Sequence, residues 1–270
     1  MNEPRARADS AAALIALEDV HLVQPDGRVA LAGINLNIRR GERVVLLGAN
    51  GSGKSTLLKL LDALVFPTHG RYLFEGRAMA HAGADRARSV RSFRQRVVLM
   101  FQQPEAMLFN PSVGEEIAYG LRHLPIDERR ARVTHWASQL GLSARLDTPP
   151  SELSGGEKQR LCLACLLAVE PEVLLLDEPT ANLDPRTVGW LLDWLSTREI
   201  TSVVATHQLA MAGELGERLV VLGEDHTVVF DGPIDQGLDD LKLLTDQGLA
   251  HVHRHRHGKR VHRHPHGHGD

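Results

Sequence analysis

A glycine-rich run at residues 48–56 has the composition of a phosphate-binding loop. It reads GANGSGKST and matches the pattern G-x-x-x-x-G-K-[ST] directly after an apolar stretch rich in β-branched residues. Glycines let backbone N–H groups converge on one point, and the start of a helix adds partial positive charge, so the loop can bind a polyphosphate. Lys54 would add a full charge at the β- and γ-phosphates, and the Ser55 hydroxyl is placed to bind Mg²⁺. The residues predicted to bind the phosphates are Gly48, Ala49, Asn50, Gly51, Ser52, Gly53, Lys54, Ser55 and Thr56.

Two adjacent carboxylates follow a second apolar stretch, at residues 174–176. Asp177 and Glu178 come directly after three leucines. Ligands of open α/β sheets bind beyond the carboxyl ends of the strands, so these acids are predicted to face the same ligand. Asp177 is predicted to hold Mg²⁺, directly or through water. Glu178 is predicted to act as a general base on the water that attacks the γ-phosphate.

Buried strands must position these motifs, and short apolar runs supply the candidates. The predicted strands cover residues 14–23, 36–38, 43–47, 97–101, 173–176 and 203–206, and a closing pair covers 219–222 and 228–230. Residues 55–64 predict a helix after the glycine loop, and residues 115–146 predict a mainly helical region. This order predicts an α/β domain with a mainly parallel core sheet.

The composition excludes several other classes of protein. The 270 residues are 43% hydrophobic and 24% charged, which excludes wholesale disorder. The formal net charge of −3 gives no global positive field, so we expect no nucleic-acid partner. No apolar run approaches the roughly 18 residues of a membrane helix. The two cysteines, Cys162 and Cys165, are too few for a disulfide framework and are predicted to pack inside a helix.

The octapeptide LSGGEKQR at residues 153–160 resembles the LSGGQ signature of ATP-binding cassette (ABC) ATPases. Its serine and glycine amides lie where a helix is predicted to begin, which makes a second anion site. The resemblance implies that residues 48–56 bind ATP with Mg²⁺, and that the second site completes the ATP pocket of an opposite subunit. ATP would then join two copies head to tail, as a homodimer or as a dimer with a related ATPase. The residues assigned to the second site are Ser154, Gly155, Gly156 and Glu157.

Further elements of the ABC family follow in order. By the same resemblance, Gln102 senses Mg²⁺ and the γ-phosphate and links to a membrane partner, Asp184 belongs to the D-loop at the dimer interface, and His207 is the switch histidine at the γ-phosphate. The resemblance covers about residues 14–235. It implies the P-loop NTPase fold of the ABC ATPase type, with an N-terminal antiparallel β part and a helical subdomain at about 103–165. The predicted Mg²⁺ ligands are Ser55, Gln102 and Asp177, and the predicted catalytic residues are Glu178, His207 and Gln102.

One position departs from the family pattern. ABC ATPases usually stack adenine on an aromatic residue just before the first turn, whereas this chain has Gln24 there, with His21 nearby. Base–aromatic stacking is worth roughly 1–3 kcal/mol in nucleic-acid systems. We therefore expect weaker selection of adenine.

Residues 103–120 follow Gln102, the glutamine of the loop called the Q-loop in the ABC family. They resemble the corresponding segment in ATPases of energy-coupling-factor importers. In those ATPases the segment faces the coupling helices of a transmembrane subunit, and Met107, Leu108 and Phe109 would be the apolar anchors here. The alternative is that these residues form a core stripe under a loop. The resemblance implies a peripheral subunit at the cytoplasmic face of the cell membrane. Its partners would be a transmembrane coupling subunit and a substrate-binding membrane subunit.

Histidines alternate with other residues near the end of the chain. The apolar pattern ends at residue 246, which predicts a disordered His-rich tail at 246–270. Neutral imidazoles suit Ni²⁺, Co²⁺, Zn²⁺ and Cu²⁺ and do not by themselves identify the metal. The alternative is a polar tail without function. The candidate ligands are His251, His253, His255, His257, His262, His264, His266 and His268.

These features predict a flexible arm at residues 1–13, an ABC ATPase domain at 14–245 and the tail at 246–270. The predicted function is ATP hydrolysis that powers nickel or cobalt uptake through an energy-coupling-factor importer. One alternative is an ABC ATPase that imports another substrate, such as a vitamin, with the tail as a metal buffer. A second is a soluble cassette ATPase that acts on DNA or ribosomes.

Overall fold

The computed structural model describes residues 13–79, 93–257 and 260–267. The described residues form two compact units. The first contains the described parts of Met1–Val90 and Glu199–Asp270, and the second contains the described part of Arg91–Arg198. The predicted arm lies outside the described residues except for Ala13, and His268 lies outside them as well.

Strands and helices alternate along most of the chain. The strands are β1 (Ile15–Val23), β2 (Val29–Ile38), β3 (Arg43–Gly48), β4 (His69–Phe74), β5 (Arg77–Ala78), β6 (Val97–Met100), β7 (Val173–Asp177), β8 (Thr201–Ala205), β9 (Arg218–Leu222), β10 (Val228–Pro233), β11 (Ala250–His257) and β12 (Arg260–Gly267). The helices are α1 (Lys54–Leu61), α2 (Val113–Tyr119), α3 (Ile126–Gln139), α4 (Gly155–Ala168), α5 (Pro185–Ser196), α6 (Leu209–Leu215), α7 (Ile234–Asp239) and α8 (Leu241–Asp246).

The first unit contains an antiparallel sheet and a mainly parallel group of strands. The antiparallel sheet has the order β2-β1-β4-β5, as the ABC resemblance implies. In the other group, β3 pairs in parallel with β8 on one side and with β9 on the other, and β10 pairs antiparallel with β9. β3 is buried from Val44 to Gly48. A strand with both faces covered reads as a continuous apolar run, which is why this segment was predictable.

The second unit contains a parallel strand pair, β6 with β7, and the helices α2 to α5. Both strands are buried along their whole length. The predicted helical subdomain at about 103–165 lies inside this unit. Cys162 in α4 is buried, as predicted, and burial raises the pKa of the Cys165 thiol. Neither cysteine forms a disulfide bond with a described residue, and α4 uses this stretch for packing.

The C-terminal region differs from the prediction of a disordered tail. α8 extends one residue beyond 245, and β11 and β12 then pair as an antiparallel hairpin. The apolar pattern does not indicate these strands. The alternation of histidines with other residues, however, has the two-residue period that is typical of a strand. The register pairs His251 with His266, His253 with His264, and His255 with His262.

Candidate functional site

The glycine loop at residues 48–56 connects β3 to α1 in the first unit. α1 begins without a side-chain cap, and its N-cap residue, Gly53, has a φ of 109°, a conformation that favours glycine. A Cβ at Gly53 would lie 2.6 Å from the Ala30 carbonyl oxygen of β2. The first N–H groups of a helix have no partner within the helix, so the start of α1, which no side chain caps, is suited to an anion.

Two side chains of the loop fit a polyphosphate. The Lys54 ammonium group lies over the loop and donates to the carbonyl oxygens of Gly48, at 2.7 Å, and Ala49, at 3.1 Å. Ser52 is only 2% exposed, and its hydroxyl oxygen is buried without a hydrogen-bond partner among the described residues. A buried hydroxyl without a partner costs folding free energy, and a phosphate oxygen would accept a hydrogen bond from it.

His207 follows β8, the strand beside β3, in the same unit. The Thr206 amide donates to the Leu46 carbonyl oxygen of β3 at 3.1 Å, so the two strand ends stay in register. His207 itself is exposed. The structure therefore places His207 and the glycine loop beyond the carboxyl ends of neighbouring parallel strands, which is where α/β sheets bind ligands.

The predicted carboxylates lie together in the second unit. Asp177 ends β7 and is 6% exposed, and Glu178 follows at 5% exposed. Glu178 has a φ of 51°, a left-handed conformation that is uncommon for a residue with a side chain. Gln102 comes shortly after β6, whose Met100 pairs with Leu176 of β7. The two loops therefore leave the same edge of this strand pair.

The signature segment begins α4 with a complete capping box. The Ser154 hydroxyl oxygen accepts from the Glu157 amide at 3.3 Å, and the Glu157 carboxylate accepts from the Ser154 amide at 2.9 Å and from its hydroxyl at 2.8 Å. These bonds from Ser154, and more weakly the nearby Arg145, hold the pKa of Glu157 below its ordinary value. Although the pattern S-x-x-E is visible in the sequence, Ser154 was predicted only to bind phosphate.

Asp184 has a local structural contact as well as its predicted D-loop role. It is the N-cap of α5, where its carboxylate accepts from the Thr187 amide at 3.1 Å and from the Thr187 hydroxyl at 2.7 Å, and these bonds lower its pKa. Arg160 of α4 forms an ion pair with Asp184 at 3.2 Å. A Cβ at Gly156 would lie 2.9 Å from the Asn182 carbonyl oxygen. The loop that contains Asn182 and Asp184, the predicted D-loop, therefore packs closely on α4.

Phe109 is an exposed aromatic side chain, not part of the core. It is 66% exposed, and its ring meets the ring of Tyr119, itself 43% exposed, edge to face at 4.8 Å. The buried Glu116 carboxylate accepts hydrogen bonds from the Phe109 and Asn110 amides, at 2.8 Å and 2.7 Å. Phe109, Glu116, Tyr119 and Cys165 line a cavity of about 320 Å³.

Gln24 lies at the end of β1, in a tight turn of the first unit. Its amide donates to the Arg28 carbonyl oxygen at 2.8 Å, and its carbonyl accepts from the Gly27 amide at 2.9 Å. Its side chain is half-buried. Because both of these hydrogen bonds use the backbone of Gln24, the turn does not depend on the side chain at this position.

The chain belongs to the ABC transporter family, whose sequence pattern matches residues 31–181. It is an ATPase with the ABC form of the P-loop NTPase fold. It is 44% identical over 237 residues to a putative ABC transporter ATP-binding protein of Methanosarcina acetivorans, covering 85% of this chain and 86% of that protein. It is 42% identical to the nickel import ATP-binding protein NikO of Rhodobacter capsulatus, covering 81% of this chain and 89% of that protein.

The chain is also similar to an energy-coupling-factor cassette and to a cassette from a transporter complex. The ATP-binding protein EcfA of Methanothermobacter thermautotrophicus is 36% identical over 82% of this chain and 72% of that protein. The structure of cbiO1 from Clostridium perfringens, part of the ABC transporter complex cbiONQ, superposes with a TM-score of 0.73 at 32% identity, covering 87% of this chain and 94% of that chain.

A dimeric cassette, MJ0796, in a post-hydrolysis state with ADP and phosphate also superposes on this chain, with a TM-score of 0.73 at 29% identity, covering 82% of this chain and 98% of that chain. Among the described residues, none of the helices is long and apolar enough to cross a bilayer.

Proposed function

We propose that the chain is the ATP-hydrolysing subunit of an energy-coupling-factor importer that powers uptake of nickel or cobalt ions. The observation that carries the proposal is the 42% identity to a nickel import ATP-binding protein over most of both chains. The similarity to cbiO1, which is part of a transporter complex, supports a subunit that works with membrane partners. In this role the chain is peripheral, at the cytoplasmic face of the membrane.

ATP binds through its phosphates to residues 48–56, where the uncapped start of α1 supplies backbone N–H groups. Lys54 exchanges its two bonds to loop carbonyls for bonds to the β- and γ-phosphates. Ser55, Gln102 and Asp177 would hold Mg²⁺, which would offset the charge of the phosphates.

Glu178 acts as the general base in hydrolysis. Because its side chain is only 5% exposed, bulk solvent is largely excluded and the carboxylate can orient a single attacking water. His207 contacts the γ-phosphate from the end of β8, where it is exposed to a ligand. Neither residue makes a covalent bond to the nucleotide in this mechanism.

Two copies of the chain join head to tail on ATP. The Ser154 hydroxyl and the backbone amides of Gly155, Gly156 and Glu157 of one copy bind the γ-phosphate held by the other copy, and Asp184 lies at the interface. The dimeric cassette with ADP and phosphate supports this arrangement because it superposes on 82% of this chain.

The exposed aromatic pair, Phe109 with Tyr119, binds the transmembrane coupling subunit. Two aromatic residues that are 66% and 43% exposed line a cavity of about 320 Å³, so the site offers both an apolar anchor and a pocket to a partner. The second membrane partner is the substrate-binding subunit.

The His-rich hairpin binds the transported ion or buffers it. Cross-strand partners and every second residue of a strand share one face of a ribbon, so the β11–β12 register groups histidine positions of both strands on one face. Imidazole ligands suit Ni²⁺ and Co²⁺.

The test is uptake of labelled Ni²⁺ and Co²⁺ by cells that express the complete transporter. Wild type is compared with Glu178→Gln and with a chain that ends after Ala250. That end point keeps Leu249 and Ala250, which are 4% and 5% exposed and belong to the folded part. A full-length variant with every histidine from 251 onward changed to glutamine is the matched control for the truncation.

Loss of uptake of one of the two metals in Glu178→Gln supports the proposal and identifies the ion. Reduced uptake in both tail variants, with ATPase activity retained, assigns the hairpin to transport. Uptake of both metals that does not depend on Glu178 contradicts the proposed cargo. Vitamin uptake by the same cells then tests the alternative importer.

A further inference from the structure

The turn between β9 and β10 lies against the phosphate loop. It is closed by two backbone hydrogen bonds, from the His226 amide to the Gly223 carbonyl oxygen and from the Gly223 amide to the Thr227 carbonyl oxygen, each 3.0 Å. His226 has a φ of 65°, in the left-handed region that favours glycine. The turn therefore carries a bulky side chain where glycine would be conformationally easier.

The His226 side chain contacts the loop directly. Its Nδ1 atom lies 3.2 Å from the Ser52 carbonyl oxygen. A carbonyl oxygen can only accept, so Nδ1 carries the proton in this contact. The backbone carbonyl of His226 also accepts from the Ala32 amide of β2 at 3.0 Å. One residue thus holds both the phosphate loop and the strand behind it.

The hydrogen bond from His226 holds the peptide group that joins Ser52 to Gly53. The peptide group is planar and trans, so its N–H points opposite to its C=O. Because the Ser52 carbonyl points towards His226, the Gly53 N–H points away from His226. The two torsions beside this peptide are ψ of Ser52 and φ of Gly53, and Gly53, with a φ of 109°, restricts rotation little on its side. An external contact is therefore needed to fix the direction of that N–H.

We propose that His226 is a positioning residue for ATP binding, which fixes the peptide between Ser52 and Gly53 so that its N–H is aimed at the phosphates. His226 does not itself touch the nucleotide. The inference deepens the ATP-binding role of residues 48–56 and is independent of the transported substrate.

The test compares ATP binding by full-length variants in the presence of Mg²⁺, by competition with a fluorescent ATP analogue. His226→Gly removes the donor, and because glycine accepts a φ of 65° without strain, the fold is expected to be retained. The loss of one part-buried hydrogen bond weakens ATP binding about three- to tenfold. In steady-state hydrolysis KM rises by the same factor, and kcat stays within about twofold.

Two further variants make the result specific. His226→Asn keeps an N–H donor at the position of Nδ1 and tolerates the left-handed conformation, so its ATP affinity stays within about twofold of wild type. Ala63→Gly is the matched control for relief of strain. Ala63 has a φ of 52° just after α1, and no bond to the phosphate loop is lost by the change.

Three results would overturn the proposal. One is wild-type ATP affinity in His226→Gly. Another is equal weakening in His226→Asn, because the hydrogen bond would then not be responsible. The third is equal weakening in Ala63→Gly, which would assign the effect to general loosening. The wild-type affinity measured alongside shows separately whether the loop binds ATP at all.

Discussion

The helices α1 and α4 both begin beside a serine and a glycine, yet their first turns differ electrostatically. α1 has Gly53 at its N-cap, and no side chain caps its first turn. α4 has Ser154 at its N-cap and a capping box in which the Glu157 carboxylate already accepts from the Ser154 amide and hydroxyl. Two similar sequence motifs therefore produce one open helix terminus and one that is closed by the chain itself.

This difference indicates an order of events. The open terminus of α1 can bind phosphate in a single copy of the chain. The terminus of α4 carries its own carboxylate, which repels an arriving phosphate and competes for the same donors. We therefore expect ATP to bind first to residues 48–56 of one copy. It then recruits the second copy, whose α4 must accept the γ-phosphate beside Glu157.

Substitution of Lys54 has the largest expected effect and should act only on the open terminus. Lys54→Ala removes charge-assisted bonds, so ATP binding by the single chain weakens about 10- to 150-fold. Ser154→Ala, at the closed terminus, leaves that affinity unchanged. A fluorescent ATP analogue measures both, with thermal unfolding as the check on folding. Equal losses in the two variants would contradict the separate roles.

Gly156→Ala should disable the closed terminus without affecting the open one. The added Cβ meets the Asn182 carbonyl oxygen at 2.9 Å and pushes the D-loop away from α4. Turnover falls about tenfold or more, while the affinity of the single chain for ATP is retained. Gly189→Ala in α5 is the control, because nothing lies within 4 Å of its added Cβ. Full turnover in Gly156→Ala would show that α4 does not take part.

Gln24→Tyr tests whether the open terminus binds ATP mainly through the phosphates. An aromatic ring would add stacking on adenine, and we expect ATP affinity to rise about fivefold, with less change for GTP. Binding of both nucleotides to wild type and variant is measured by competition. Unchanged ATP affinity, with strong rejection of GTP by both proteins, would show that adenine is already selected without the ring.

Glu157→Gln should strengthen the binding of the second copy of the chain to the ATP-loaded first copy. Glutamine retains the hydrogen bonds of a capping box but removes the charge, so ATP-driven dimerisation tightens about threefold. Glu152→Gln, an exposed site just before the signature, is the matched control. Sedimentation at a series of protein concentrations measures the dimer constant. Weaker dimerisation in Glu157→Gln would show that the carboxylate helps to bind the second copy.

The smallest expected effect is the pH dependence of the cap. The folded pKa of Glu157 is lowered, mainly by bonds from Ser154, so ionised Glu157 stabilises the folded chain above its unfolded pKa. That contribution is lost as the pH falls below the unfolded value of about 4.3 and through the lowered folded pKa. The melting temperature of wild type should therefore decline more steeply over this range than that of Glu157→Gln. Parallel curves would show that the cap does not depend on the charge.

Much of the fold could be predicted because the core strands are continuous apolar runs. Residues 43–47 and 173–176 were predicted within one residue of β3 and β7. β4 was missed because its first half, His69 to Arg71, is polar and exposed. Hydrophobicity marks a strand only where it is buried, so the exposed first half of β4 leaves a weak signal.

The motif residues could be found from sequence because each motif is local. The loop at 48–56 lies between a strand and a helix as predicted. His226 could not be found in this way, because its contact with Ser52 spans 174 positions and depends on the register of β9 against β3. The closed state of α4 was overlooked for another reason: the same serine can cap a helix or bind phosphate, and geometry is needed to distinguish them.

The most direct test of the account is the ATP dependence of the oligomeric state. Sedimentation velocity of full-length Glu178→Gln, with and without ATP and Mg²⁺, should show a monomer without nucleotide and a dimer with it. Addition of Gly156→Ala in the same background should return the protein to a monomer while ATP stays bound. A chain that remains monomeric at saturating ATP, or a dimer indifferent to Gly156→Ala, would contradict the proposal that one ATP joins the open terminus of one copy to the closed terminus of the other.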